Sequence, residues 1–195
     1  CIPTKALLES SEHYARVTGE LDEHGIAVGE VRLDLEILMA RKTRIVGELT
    51  DGIRLLMKRH KVRVVQGRGR LVAPGRVRVE SEGDAVELEA PAVVLATGSE
   101  PSEVGALPVD GTHVVTSTEA LAFDCVPEHL VVIGAGAIGL ELGSVWRRLG
   151  ARVTVVEMLP QIAPHADVQV SKMLLRALKK QGLEVRLRSR VTAVA

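Results

Sequence analysis

The stretch from Val131 to Glu157, VVIGAGAIGLELGSVWRRLGARVTVVE, has the residue types and spacing needed to hold a pyrophosphate. Gly134 permits a tight turn at the end of an apolar run, and Gly136 removes the side chain where a phosphate approaches. Gly139 lets the following helix pack closely on its strand. Ala135, Ala137, Ile138 and Leu140 fill the positions between and just after them, where a helix begins. The free N–H groups and partial positive charge of that helix start favour phosphate oxygens. Glu157 closes the next apolar run, about 20 residues on, where a carboxylate accepts hydrogen bonds from ribose hydroxyls and repels a 2′-phosphate. The pattern therefore reads as a dinucleotide site that prefers NAD to NADP. A solvated glutamate at a strand end is the plainer account of Glu157. Glu141, one turn into the helix, is either a charge favoured by the helix dipole or half of a pair, and spacing alone supplies no partner.

A second chemical element stands at the start of the chain, CIPTKALL. Cys1 brings a thiol, without a methionine before it, and Lys5 follows one helical turn later. Two readings of Cys1 stand: it is incidental, or the chain was cut beside something important. Lys5 alone reads as an ordinary lysine near a helix start. The other cysteine, Cys125, reads as a linker residue, and two cysteines are too few for a disulfide framework, which fits a reducing compartment. Six histidines occur without metal-ligand spacing, so no metal is expected.

Composition narrows the classes. The chain has 195 residues, 46% apolar, enough to bury one ordinary core or two small ones. Lysines plus arginines number 25, as do the acids, and three aromatic residues occur. That balance points away from nucleic acid, a membrane surface and base-stacking platforms. No apolar run approaches the roughly 20 residues of a membrane span, and the first residues lack a signal-peptide layout.

The elements that must position these groups follow from periodicity. Apolar residues at helical spacing predict a helix from Pro3 to Leu21 and another from about Leu33 to His60. Val62–Val64, Val77–Val79 and Val86–Leu88 alternate apolar with charged residues, with turn signals at Pro74-Gly75 and Gly83-Asp84, and predict an antiparallel meander. Ala92 to Leu95 is continuously apolar and is expected as a strand buried on both faces, entering Thr97, Gly98 and Ser99. Residues 99–128 show weak periodicity and are expected to hold the domain boundary. Beyond it a buried strand 130–133, a helix 137–149, a strand 153–156, a helix 168–181 and a strand 183–187 give βαβαβ, the plan of a parallel sheet covered by helices.

Taken together, CIPTKALL, VLATGSEP and GAGAIGLELGSVWRRLGARVTVVE resemble the flavoprotein pyridine nucleotide-disulfide oxidoreductases, and among them the dihydrolipoamide dehydrogenases. The likeness runs in order across the whole chain and includes EHGIAVGEVRLDLEILMARKTRIVGELTDGI and VTSTEALAFDCVPEHLVVIG. It implies an α/β fold of FAD- and NAD(P)-binding doubly wound, Rossmann-like domains, the first carrying the antiparallel meander. Residues 1–127 would be part of an FAD-binding domain and 128–195 part of an NAD-binding domain, in a fragment of a larger chain.

By the same resemblance, Cys1 is the flavin-facing half of a redox-active Cys-x-x-x-x-Cys pair, with Thr4 in place of the usual serine. The first cysteine would then precede residue 1, and the His-Glu base, the first FAD-phosphate glycines and the dimerisation domain would also lie outside. Lys5 matches the lysine near the reactive nitrogen of the flavin and Glu141 the glutamate paired with it. Gly69 matches a position against the FAD adenine, Thr97, Gly98 and Ser99 the turn that passes the FAD, and Val191, opening a strand after Leu187, a position against the NAD adenine. Without the resemblance, Gly69 is a turn or bulge glycine and Val191 a core valine.

The implied activity is oxidation of protein-bound dihydrolipoamide, electrons passing through the active-site disulfide and FAD to NAD. The implied partner is the lipoyl domain of a 2-oxo acid dehydrogenase complex or of the glycine cleavage system. A homodimer in the cytoplasm, or in the mitochondrial matrix of a eukaryote, goes with it. The 195 residues alone are expected to be inactive and to bind FAD poorly. The alternatives are another reductase of the family, of the mercuric or glutathione type or the soluble transhydrogenase, and a non-catalytic dinucleotide-binding module. Glu157 disfavours the NADPH users and Cys1 the transhydrogenase.

Overall fold

The first helix forms where Pro3 presets the backbone for a helical start, and apolar side chains then recur on one face. In the structure, a computed structural model, this helix is α1, Ile2–Ala15. The structure describes residues 1–81, 83–102, 104–105 and 107–193, and only the backbone of Glu20. A π-helical turn, Arg16–Glu20, continues α1, so the helix predicted to Leu21 changes pitch over its last residues. The second long helix, α2, is Leu35–Arg59.

Two compact units divide the chain, one made of Cys1–Gly47 with Pro101–Ala195, the other of Glu48–Glu100. The first 127 residues thus contribute to both units.

In the second unit, strands β1 (Arg68–Ala73), β2 (Arg76–Ser81) and β3 (Asp84–Glu89) form the antiparallel meander, ordered β1-β2-β3. Register pairs Val77 with Leu88 and Val79 with Val86, placing these apolar side chains on one face. Gly69 lies inside β1 opposite Val79, not in a turn. Two expectations fail here. Neither Val62–Val64 nor Ala92–Leu95 forms a strand, and Val94 is 87% exposed. Alternation or apolarity qualifies a segment for a sheet, but a strand exists only where a neighbour accepts its hydrogen bonds. No described segment provides one here.

The first unit holds a parallel sheet, β4 (His129–Ile133), β5 (Arg152–Val156) and β6 (Glu184–Arg186), in that order. Helices α4 (Ala137–Arg148) and α5 (Val168–Lys180) make the crossovers, and a four-residue helix α3 (Ser117–Ala120) falls in the stretch read as irregular. Its start is a capping box that weak periodicity could not reveal, Thr116 and Glu119 each satisfying the other's backbone. β4, expected to be buried, is an outer strand whose Val131 and Ile133 stay exposed.

The core centres on α4. Trp146 is fully buried, donates its indole N–H to the Ala120 carbonyl at 3.1 Å and lies 5.1 Å from the Phe123 ring. Leu7 of α1, Val145, Val153, Val155 and Ile162 belong to the same buried cluster.

Four carboxylates in this unit tie the surface together and are held below their ordinary pKa: Glu9 by Arg41, Asp110 by the backbone N–H groups of residues 112–114, Glu119 by Thr116, and Glu184 by Arg186 and Thr154. A depressed folded pKa gives stability that is complete above the unfolded value and lost as pH falls through the folded one. The melting temperature is therefore expected to stay level from pH 7 to 5 and to fall below about pH 4, which a pH series of thermal melts checks.

Candidate functional site

Cys1 occupies the N-cap of α1, its carbonyl accepting the Lys5 N–H at 3.1 Å. Its thiol is exposed, at the positive end of the helix dipole, where an anion is favoured. Cys125 is exposed too, and the neighbouring Asp124 pushes its thiol pKa up, which disfavours its thiolate.

Helix α1 is fixed by cations from two sides. From α2, Arg41 donates to the Ala6 carbonyl at 3.2 Å and to Ser10 Oγ at 3.1 Å, and pairs with Glu9 at 2.6 Å. From α4, Arg148 pairs with Glu12 at 2.7 Å. Beside these ties Lys42 of α2 donates Nζ to the Leu121 carbonyl at 2.7 Å, and burial lowers its ammonium pKa. None of these arginine ties stood in a motif, and only the folded helices bring the partners together.

The remaining tie joins the two chemical elements read from the sequence. Lys5 Nζ donates to Glu141 Oε1 at 2.5 Å across 136 positions of sequence. The partner that spacing denied to Glu141 is on the adjacent helix.

The glycine turn is built as its sequence demands. Gly134 has φ +97°, the left-handed region that favours glycine, as β4 turns into α4. Gly136 is the N-cap of α4, without a side-chain cap, and nothing lies within 4 Å of where its Cβ would stand. A Cβ on Gly139 would meet the Gly134 carbonyl oxygen at 2.4 Å, so only glycine lets helix and strand approach this closely. Ala137 and Ile138 are exposed at the helix start, whereas Leu140 belongs to the core. Glu157 is 6% exposed, with Oε2 accepting the Ala135 N–H at 2.8 Å and Oε1 the Leu159 N–H at 2.7 Å. It is not a solvated glutamate, and its two backbone partners carry no signal a sequence reading could use.

Thr97, Gly98 and Ser99 form an exposed irregular segment in which Gly98 has φ +75°. Val191, expected to open a strand, is half-buried in irregular chain, because no described strand pairs with that segment.

The pyridine nucleotide-disulphide oxidoreductase family matches residues 1–195, the full chain. The chain belongs to the pyridine nucleotide-disulphide oxidoreductases. FAD and NAD are the cofactors of dihydrolipoyl dehydrogenases in this family. Dihydrolipoyl dehydrogenase 3 of Pseudomonas aeruginosa is 49% identical over 99% of the chain, which covers 42% of that protein. The mitochondrial dihydrolipoyl dehydrogenase of Pisum sativum is 42% identical over 100% of the chain and 39% of its own length. Leghemoglobin reductase of Vigna unguiculata is 43% identical, with 37% of it covered. Among solved structures, LpdA from Mycobacterium tuberculosis superposes with a TM-score of 0.84 at 26% identity, over 100% of this chain and 43% of that one. The disulphide oxidoreductase chain described here thus spans about two fifths of the length of its relatives. No helix among its described residues is long and apolar enough to cross a membrane.

Proposed function

We propose that this chain is the part of a dihydrolipoyl dehydrogenase that joins the thiol to the nicotinamide nucleotide. The full-length protein would oxidise protein-bound dihydrolipoamide to lipoamide and reduce NAD. The observation that carries this reading is the Lys5–Glu141 pair: it ties the helix headed by a cysteine to the helix that opens at the glycine turn.

The residues fit both cofactors. The open space at Gly136 and the uncapped start of α4 suit a pyrophosphate, with Glu157 at the ribose end. The exposed turn at Thr97, Gly98 and Ser99, together with Gly69, suits the FAD, and Val191 the adenine of NAD. Residues 1–127 then serve the FAD and 128–195 the NAD. FAD, when bound, supplies a two-electron carrier between a thiol pair and NAD. Cys1 supplies one sulfur of that pair, at a helix start that favours the thiolate. Lys5 presents its ammonium protons one turn further along α1, and Glu141 accepts one of them and so fixes where the ammonium points. Ala137, Ile138 and Gly139 offer N–H groups to phosphate oxygens.

The lipoyl domain of a 2-oxo acid dehydrogenase complex or of the glycine cleavage system is the corresponding partner. The assembly is a homodimer, in the cytoplasm or, in a eukaryote, the mitochondrial matrix.

The test is steady-state turnover of the full-length protein with dihydrolipoamide and either NAD or NADP. NAD is expected to be reduced and NADP to be used far more slowly, because Glu157 repels a 2′-phosphate. Reduction of glutathione disulfide or mercuric ion by NADPH, with no oxidation of dihydrolipoamide, would overturn the reading in favour of another reductase of the family.

A further inference from the structure

We propose that Glu157 is a positioning residue, which with the loop from Leu159 to Ala163 clips the glycine turn into shape before any nucleotide binds. The proposal rests on the nucleotide reading above and adds a role to a residue that reading uses only as a ribose acceptor.

The clip is closed from both sides around one residue, holding the peptide groups before and after it. Ala135, in the middle of the turn, is wholly buried, its N–H donating to Glu157 Oε2 at 2.8 Å and its carbonyl accepting the Ala163 N–H at 2.8 Å. The other carboxylate oxygen of Glu157 takes the Leu159 N–H at 2.7 Å, so one side chain binds turn and loop together. The loop itself is anchored. Ile162 is fully buried, and its carbonyl accepts the hydroxyl of Ser171, a buried residue on α5, at 2.8 Å. Ala163 sits at φ +44°, a conformation that alanine keeps only where its surroundings over-determine it. Here they do: besides the bond to Ala135, its carbonyl accepts the Ala166 N–H at 2.8 Å.

An ionised carboxylate offers about four lone-pair positions, and the two backbone N–H groups use one on each oxygen. Ribose hydroxyls would add to these bonds and not replace them. Glu157 then contributes to nucleotide affinity twice, once by contact and once by holding the phosphate-binding turn in its bound shape. The same chain of bonds carries the restraint from Ser171, which stands off the turn on α5.

The two roles separate in Glu157→Gln. A glutamine has one acceptor oxygen and an NH2 group, so it cannot accept both N–H groups without facing donor to donor. Amide hydrogen exchange of nucleotide-free full-length protein is the readout, with NAD affinity measured by calorimetry on the same samples. Exchange at Ala135 or Leu159 is expected to quicken by about 10- to 100-fold, and NAD affinity to fall. Ser171→Ala is the second arm: the Ala163 amide is expected to exchange faster, and the NAD KM to rise more than kcat falls. Unchanged exchange at both Ala135 and Leu159 in Glu157→Gln overturns the clip, even if NAD binding weakens, and leaves a ribose contact alone. Quickened exchange with no NAD binding by the unsubstituted protein supports the clip and overturns the nucleotide reading.

Discussion

Full-length protein carrying Glu141→Ala is expected to oxidise dihydrolipoamide about 10²- to 10³-fold more slowly while melting close to the unsubstituted protein. The two halves of that result come from the same geometry. Lys5 and Glu141 are 58% and 33% exposed, and an ion pair so open to water contributes at most about 1 kcal/mol to folding. Deleting the carboxylate leaves an ammonium that water solvates, so the fold loses little. The chemistry loses more, because a lysine without its acceptor samples several rotamers and no longer holds a donor at one place. Lys5→Ala should give the same split. Lys5→Arg should not rescue it, since a planar guanidinium is longer and spreads its charge. Rapid-mixing measurement of the half-reaction with dihydrolipoamide, beside a thermal melt, separates the two effects; wild-type rates in either alanine variant would remove the pair from the mechanism.

The second large effect is at the glycine turn, where two neighbouring glycines should fail differently. Gly139→Ala places a methyl 2.4 Å from a backbone carbonyl oxygen and 2.9 Å from Val132 Cγ1. No rotamer relieves a contact with backbone, so α4 must move off β4, at a cost of about 1–3 kcal/mol. The shift also carries the phosphate-binding N–H groups with it, and NAD affinity should fall by about 100-fold or more. Gly136→Ala meets nothing within 4 Å. Its stability should change by less than about 1 kcal/mol, yet its methyl enters the space a pyrophosphate needs, and NAD binding should weaken by about tenfold or more. Chemical denaturation and calorimetry on the two variants read both quantities. Equal stability losses at the two positions would show that close packing is not what demands glycine at 139.

Much of the parallel unit was legible because its signals are local. β4, α4 and β5 announce themselves by period and by glycines whose reasons are steric, and the structure adjusts each by one residue at one end. The apolar run from Ala92 to Leu95 forms no strand, because composition cannot say whether a partner strand is present. Gly69, by itself a turn or bulge glycine, instead sits in the ladder of β1 opposite Val79, while the irregularity of that strand falls further on, between Leu71 and Ala73. The Lys5–Glu141 pair lay beyond any spacing rule, since 136 positions separate its members, and only resemblance joined them. The hydrogen bonds of Glu157 were invisible for a different reason: their partners are backbone groups, which every residue carries.

The two ion pairs between α1 and α4 have one more consequence. Lys5 meets Glu141 and Glu12 meets Arg148, with members seven residues apart on each helix, at 5 and 12 and at 141 and 148. The helices therefore run side by side in the same direction, and the charge order along one is the inverse of that along the other. Reversing α1 end for end would set lysine against arginine and glutamate against glutamate. Sliding it by a turn would leave both contacts unmade. The polarity of the sequence, positive then negative against negative then positive, thus acts as an address label that admits one orientation and one depth of docking for the helix that carries the thiol.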